Sequence, residues 1–88
     1  MLLMGDIISG EFDEYMNEFS LQKVKHFTTE STIRESQLIS LYDYLKKHRN
    51  DTDGQILTLY DQMPIRLSQE EINLFISDLE KVQMLYRQ

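Results

Sequence analysis

The last third of the chain carries the strongest structural signal, a helix start followed by one apolar stripe. Ser68 and Glu71 have the spacing of a capping box, in which each side chain satisfies a backbone amide that the helix start leaves unpaired. Leu67 and Ile72 flank the box at the positions of a hydrophobic staple. The apolar residues that recur on one helical face are Ile72, Phe75, Ile76, Leu79, Val82 and Tyr86. This pattern predicts a helix whose apolar face packs against the rest of the protein.

The scarcity of turn residues favours helices over a many-turned β fold. One proline and three glycines in 88 residues allow long helices, and the turn signals of a β-sandwich or barrel are missing. An apolar fraction of 41% is sufficient for one small core. We therefore predict a single all-α domain over residues 1–88. It would be a small helical bundle of three longer helices plus one short helix, at residues 6–20, 32–48, 54–62 and 68–86.

Three further apolar stripes mark the other helices. The first consists of Ile8, Phe12, Tyr15, Met16 and Phe19. The second follows a capping-box spacing between Thr32 and Glu35, and it consists of Ile33, Leu38, Leu41, Tyr42 and Leu45. The third ends before Pro64, because the residue before a proline avoids helical geometry, and it consists of Ile56, Leu57, Leu59 and Tyr60. Residues 50–54 form the clearest turn, whereas residues 20–31 fit a helix, a strand or a loop equally well.

The distribution of charge limits the partners that the protein can bind. The net charge is −6, which argues against a general nucleic-acid binder. Residues 31–49 nevertheless carry two acids and four bases, whereas both flanking segments are acidic. The chain has no cysteine, so disulfides and thiolate metal sites are excluded. With no export signal and no apolar run long enough to cross a bilayer, these features predict a cytoplasmic protein that does not span a membrane.

No pattern in the sequence predicts an enzyme, a metal site or a cofactor. The loop around Asp51, Asp53 and Gly54 partly matches a calcium-binding EF-hand, but Arg49 and Tyr60 stand where its first and last carboxylate ligands belong. The two histidines are 22 residues apart, and no catalytic arrangement of hydroxyl, imidazole and carboxyl groups can be singled out. We therefore expect no catalytic residues, no metal and no cofactor.

Two clusters are candidate binding sites. Acidic and aromatic residues on the first predicted helix could dock on a basic groove of a partner protein; these are Glu11, Phe12, Glu14, Tyr15, Glu18 and Phe19. The basic end of the second predicted helix could instead contact phosphates; its residues are Lys46, Lys47, His48 and Arg49. The same aromatic residues could equally belong to the core, and the same cations could simply complement the helix dipole.

A resemblance to known proteins adds little to these hypotheses. The segment from Thr32 to Leu45 and the segment from Leu67 to Leu79 are similar to small helical pieces attached to phage and plasmid replication or recombination proteins. The resemblance implies an accessory protein of bacterial or phage type. The function that we predict is a non-enzymatic protein–protein interaction module, acting as a regulator, inhibitor or assembly factor. The alternatives are a nucleic-acid-associated accessory protein and a structural subunit of a homo-oligomer, and a homodimer is compatible with the first prediction.

Overall fold

Strands dominate the first half of the chain, and helices alternate with strands in the second. The computed structural model describes residues 1–59 and 64–87. Within these residues the elements are β1 (Leu2–Met4), β2 (Ile8–Asp13), β3 (Glu18–Val24), β4 (Phe27–Arg34), α1 (Glu35–Lys47), β5 (Gln55–Thr58), β6 (Pro64–Leu67) and α2 (Gln69–Gln83). The first four strands form an antiparallel sheet in chain order, and β5 pairs with β6 in a separate hairpin. The predicted all-α bundle is therefore wrong, because the described part of the chain contains only two helices.

The predicted helix over residues 6–20 is a β-hairpin made of β2 and β3. Its inward-facing residues alternate along each strand, so that Ile8 and Phe12 on β2 and Phe19 and Leu21 on β3 are all buried. A spacing of four residues fits one face of a helix as well as one face of a strand, which explains the misreading. The glycine at position 10 fits the hairpin, because an added Cβ there would collide with the backbone of β3.

The undecided segment 20–31 and the predicted short helix also form strands. β3 and β4 are joined through Lys25 and His26, and Lys25 adopts a φ of 57°. The predicted helix over residues 54–62 is replaced by β5, in which Leu57 is buried and Ile56 is exposed. The end of that predicted helix, residues 60–62, lies outside the described residues.

Two of the predicted helices are confirmed in shortened form. α2 begins within the predicted capping box, in which Glu71 N–H donates to Ser68 Oγ at 3.2 Å and Ser68 N–H donates to Glu71 Oε1 at 2.9 Å. Every residue of its predicted apolar stripe is buried. α1 begins at Glu35 instead of 32, because Thr32 belongs to β4. The predicted Thr32–Glu35 box is therefore absent, and the backbone N–H of Arg34 donates to Gln37 Oε1 at 2.9 Å instead.

One core joins the inner face of the large sheet to the helices and the small hairpin. Its buried residues come from β2, β3 and β4, from both helices, and from β5 and β6. Tyr86, just beyond α2, closes this core: its ring meets Phe12 edge to face at 5.0 Å and its hydroxyl donates to the Ile33 carbonyl at 2.6 Å. Neither described helix is long and apolar enough to cross a membrane.

Candidate protein-interaction surface

Large apolar side chains that remain exposed are concentrated at the start of the chain. In the described residues nine such side chains are exposed, and five of them lie within residues 1–16: Met1, Leu2, Met4, Tyr15 and Met16. Apolar side chains gathered in one region, unlike single exposed ones, are typical of binding surfaces. We call the exposed side chains of β1 and of the β2–β3 hairpin the β1–hairpin surface; it consists of Leu2, Met4, Glu11, Asp13, Glu14, Tyr15 and Met16.

The outer edge of β1 is open in the described structure. β1 is an end strand of the sheet, and among the described residues only β2 pairs with it. Met1 and Phe12 exchange both backbone hydrogen bonds, at 3.1 and 2.8 Å, and Gly5 N–H donates to the Ile8 carbonyl at 2.8 Å. Because hydrogen-bonded and non-hydrogen-bonded pairs alternate in antiparallel strands, the backbone groups of Leu2 and Met4 point away from β2. The same two residues have side chains that are 70% and 85% exposed.

A buried carboxylate holds the turn between β1 and β2. Asp78 on α2 is completely buried, and it accepts hydrogen bonds from three consecutive backbone amides, those of Asp6, Ile7 and Ile8, at 2.8 to 3.1 Å. Gly5 lies against this carboxyl group, where a Cβ would collide with it. The amino group of Lys81 lies 3.8 Å from Asp78 Oδ1. Charge-assisted hydrogen bonds to backbone amides are strong, so α2 holds the turn that follows β1.

The tip of the β2–β3 hairpin is equally well fixed, although its side chains are exposed. Asp13 Oδ1 accepts the backbone N–H groups of Tyr15 and Met16 at 2.9 and 3.1 Å. Asn17 adopts a φ of 54°, a conformation that Asn tolerates better than most residues. Arg87 binds the tip from the other side, through its backbone N–H to Asn17 Oδ1 at 2.8 Å and its guanidinium to the Glu14 carbonyl at 2.7 Å. The Tyr15 side chain, 96% exposed, therefore stands on a backbone that is held from two sides.

The β1–hairpin surface is also acidic. Residues 1–22 contain five carboxylates and no lysine or arginine. Glu11 lies directly opposite Leu2 on the sheet, and Asp6 follows the end of β1. Glu18 is the exception, because it forms an ion pair with Arg34 at 2.8 Å. The surface thus combines exposed apolar side chains with negative charge on a rigid backbone.

The predicted partner-binding residues divide between this surface and the core. Glu11, Glu14 and Tyr15 are exposed on the hairpin, whereas Phe12 and Phe19 are buried in the core. They therefore do not share one helical face, and that structural premise was wrong. Leu2 and Met4 were not predicted from the sequence. Their signal was a continuous run of four apolar residues that ends at Gly5 and Asp6, a pattern that is compatible with a short strand.

The predicted nucleic-acid-binding residues lie at the end of α1, among acidic neighbours. The Lys46 amino group lies over the Tyr42 ring, 5.3 Å from the ring centroid, and His48 Nδ1 lies 2.8 Å from Asp51 Oδ2. The hydrogen bond from His48 holds the pKa of Asp51 below its ordinary value. Lys47 and Arg49 are exposed. The positive charge at this end of the helix is therefore partly neutralised.

A groove lies between α1 and β5. Leu41, Tyr44 and Ile56 contribute to a groove of about 410 Å³, and Tyr44 donates a hydrogen bond to Gln55 at its edge, at 3.0 Å. His48 Nδ1 and Gln55 Nε2 each lie 2.8 Å from Asp51 Oδ2, so these three side chains form one hydrogen-bonded group. Within the described residues, no group of three or more histidine and carboxylate side chains is arranged to hold a metal ion.

Comparison with known proteins gives no family for this chain. No protein-family model, curated protein or solved structure matches it.

Proposed function

We propose that this protein is a protein–protein interaction module that binds its partner through the β1–hairpin surface. The observation that supports the proposal best is Tyr15, an aromatic side chain that is almost fully exposed on a turn held by Asp13 and Arg87. Tyrosine is enriched among the residues that dominate binding energy. A fixed backbone lowers the entropy that such a side chain and its turn lose on binding.

The negative charge of the surface indicates which class of partner it can bind. The β1–hairpin surface has three carboxylates, those of Glu11, Asp13 and Glu14, and no lysine or arginine, so its charge favours a basic protein surface over nucleic acid. A role as a small regulator, inhibitor or assembly factor in the cytoplasm fits this description, and the cytoplasmic location stays a prediction from the absence of cysteine. Nucleic-acid binding by the end of α1 is the weaker proposal, since Asp43, Asp51 and Asp53 lie among its cations.

The test compares capture by variants of the immobilised chain. Wild-type protein should retain a stoichiometric protein from a lysate of its source cells after nuclease treatment. Tyr15→Ala should weaken that binding by at least about 2 kcal/mol, which corresponds to about 30-fold, if Tyr15 fills a pocket of the partner. The matched control is Ile56→Ala, because Ile56 is also exposed but belongs to β5.

Both variants should unfold at the wild-type urea midpoint, because neither side chain contributes to the core. Equal capture by wild type, Tyr15→Ala and Leu2→Ala would contradict the proposal. Loss of capture with Ile56→Ala alone would contradict it too, and would move the binding site to the groove between α1 and β5.

A further inference from the structure

We infer that the partner binds by adding an extended, basic strand to the open edge of β1, an inference that rests on the proposed function. Four backbone groups, the N–H and C=O of Leu2 and of Met4, point to this edge by the alternation of the antiparallel ladder. Strand addition uses such a row of groups for affinity and the flanking side chains for specificity.

The edge lacks most of the devices by which proteins protect end strands, although β1 is short, with three residues. Exposed edges are commonly blunted by charged residues, proline, bulges or a covering element. The side chains of Met1–Met4 carry no charge, none of these residues is proline, and in the described structure no strand lies beyond β1. The charged amino group of Met1 donates to the Phe12 carbonyl on the β2 side. The edge is nevertheless well ordered, since Asp78 fixes the turn after β1 and the Met1–Phe12 pair fixes its start. The backbone groups of Leu2 and Met4 are therefore held in position before a partner strand binds.

Charge selects a basic strand over a second copy of this chain. Glu11 lies opposite Leu2, so a partner strand on the other side of β1 would run about 10 Å from it, two strand spacings away. Asp6 and the hairpin-tip carboxylates flank the two ends of β1, and Lys23 lies on β3, one strand further away than Glu11. The two other positive groups near this surface, the Met1 amino group and the Arg87 guanidinium, donate to the carbonyls of Phe12 and Glu14. Two copies at −6 each would repel one another.

The inserted strand would carry apolar side chains at alternate positions. On the solvent face of the sheet its side chains would lie beside Leu2 and Met4, which are among the most exposed apolar residues of the described structure. Lysine or arginine side chains have apolar stems that can cover such residues while their charged ends reach the carboxylates. The ligand class is thus an extended segment that alternates basic and apolar residues.

Two synthetic peptides test the inference directly. The first is an acetylated hexapeptide of alternating lysine and valine, and the second replaces each lysine by glutamate. The lysine peptide should bind the full chain at least about tenfold more tightly than the glutamate peptide. Its affinity should also fall as salt is added, because the attracting charges are exposed.

Two substitutions at one position separate strand addition from simple side-chain contact. Met4→Ala removes the side chain but keeps the backbone N–H, and it should weaken the lysine peptide by about threefold or less. Met4→Pro also removes the N–H that points to the open edge, and it should bind about tenfold more weakly than Met4→Ala. Proline is tolerated here because this N–H makes no bond to β2; equal thermal midpoints for the two variants would verify that the fold is kept.

The results of these experiments either support or contradict strand addition at β1. Equal affinities of Met4→Pro and Met4→Ala, or of the two peptides, would overturn the inference. A dimer of the free chain that Met4→Pro dissociates in light scattering would overturn it in favour of a second copy. If the captured partner is lost with Tyr15→Ala but retained fully by Met4→Pro, the interaction module stands and strand addition fails. If no variant of the β1–hairpin surface changes capture, the proposed function itself fails.

Discussion

At the scale of single residues, Asp78 does most to define the candidate surface. It is an acid without any solvent exposure, and its two carboxylate oxygens accept three backbone amides from a segment that is 70 to 72 residues away in sequence. Removing this acceptor leaves one buried and two partly buried amides without a partner, which costs more than the loss of an exposed hydrogen bond. The side chain therefore links α2 to the turn between β1 and β2.

Asp78→Ala should accordingly destabilise the protein strongly. We expect the free energy of unfolding to fall by about 3–5 kcal/mol, because three amides lose a charged acceptor at once. Urea denaturation followed by circular dichroism measures this change. The control is Glu70→Ala, an exposed acid in the first turn of the same helix, which should cost less than about 1 kcal/mol. A loss below about 1 kcal/mol for Asp78→Ala would show that the β1–β2 turn does not depend on this carboxylate.

At the scale of elements, the capping box at the start of α2 connects the sequence, the fold and the response to pH. The backbone N–H of Ser68, reinforced by Lys25, holds the pKa of Glu71 below its ordinary value of 4.5. The Lys25 ammonium lies 2.9 Å from Glu71 Oε2, so the box also ties the β3–β4 turn to α2. A carboxyl group with a depressed pKa in the folded state stabilises the fold above the pKa of the unfolded chain.

This predicts a defined change at acid pH for Glu71→Gln. Glutamine keeps an acceptor for the Ser68 N–H but loses the charge that attracts Lys25. The wild type should therefore be more stable than the variant by a constant amount above about pH 5. That advantage should shrink as the pH falls below 4.5 and through the lower pKa of the folded state. Urea unfolding between pH 7 and pH 3 tests this, with Asn73→Ala as a control that changes no titrating group. A difference between wild type and Glu71→Gln that is independent of pH would contradict the assignment.

The elements also show which parts of the fold a single sequence can predict. α2 was predictable because a cap, a staple and a long stripe with a spacing of three and four residues all agree there. The β2–β3 hairpin was not, because Ile8, Phe12, Met16 and Phe19 satisfy a helical spacing by coincidence. Its turn also lacks glycine: Asn17 takes the left-handed conformation there, as Lys25 does in the next turn. Counting glycines consequently underestimated the number of turns.

At the scale of the whole molecule, the acidic and the basic segments of the chain form different parts of the surface. The acidic start of the chain forms β1 and the β2–β3 hairpin, whereas the basic middle forms the end of α1. The sequence alone indicated part of the candidate surface, namely Glu11, Glu14 and Tyr15. It could not show that Phe12 and Phe19 turn inward or that Leu2 and Met4 form an open edge, because both depend on which strands pair.

The most direct test of the account is amide hydrogen exchange along β1, measured by NMR with and without the lysine–valine peptide. In the free chain the Leu2 and Met4 amides should exchange rapidly, whereas the Gly5 amide, bonded to the Ile8 carbonyl, should be protected. The peptide should then protect Leu2 and Met4 selectively and leave Ile56, on the separate hairpin, unchanged. Protection of Leu2 and Met4 in the free chain, or no change in their exchange when the peptide is saturating, would contradict the assignment of this edge as the binding site.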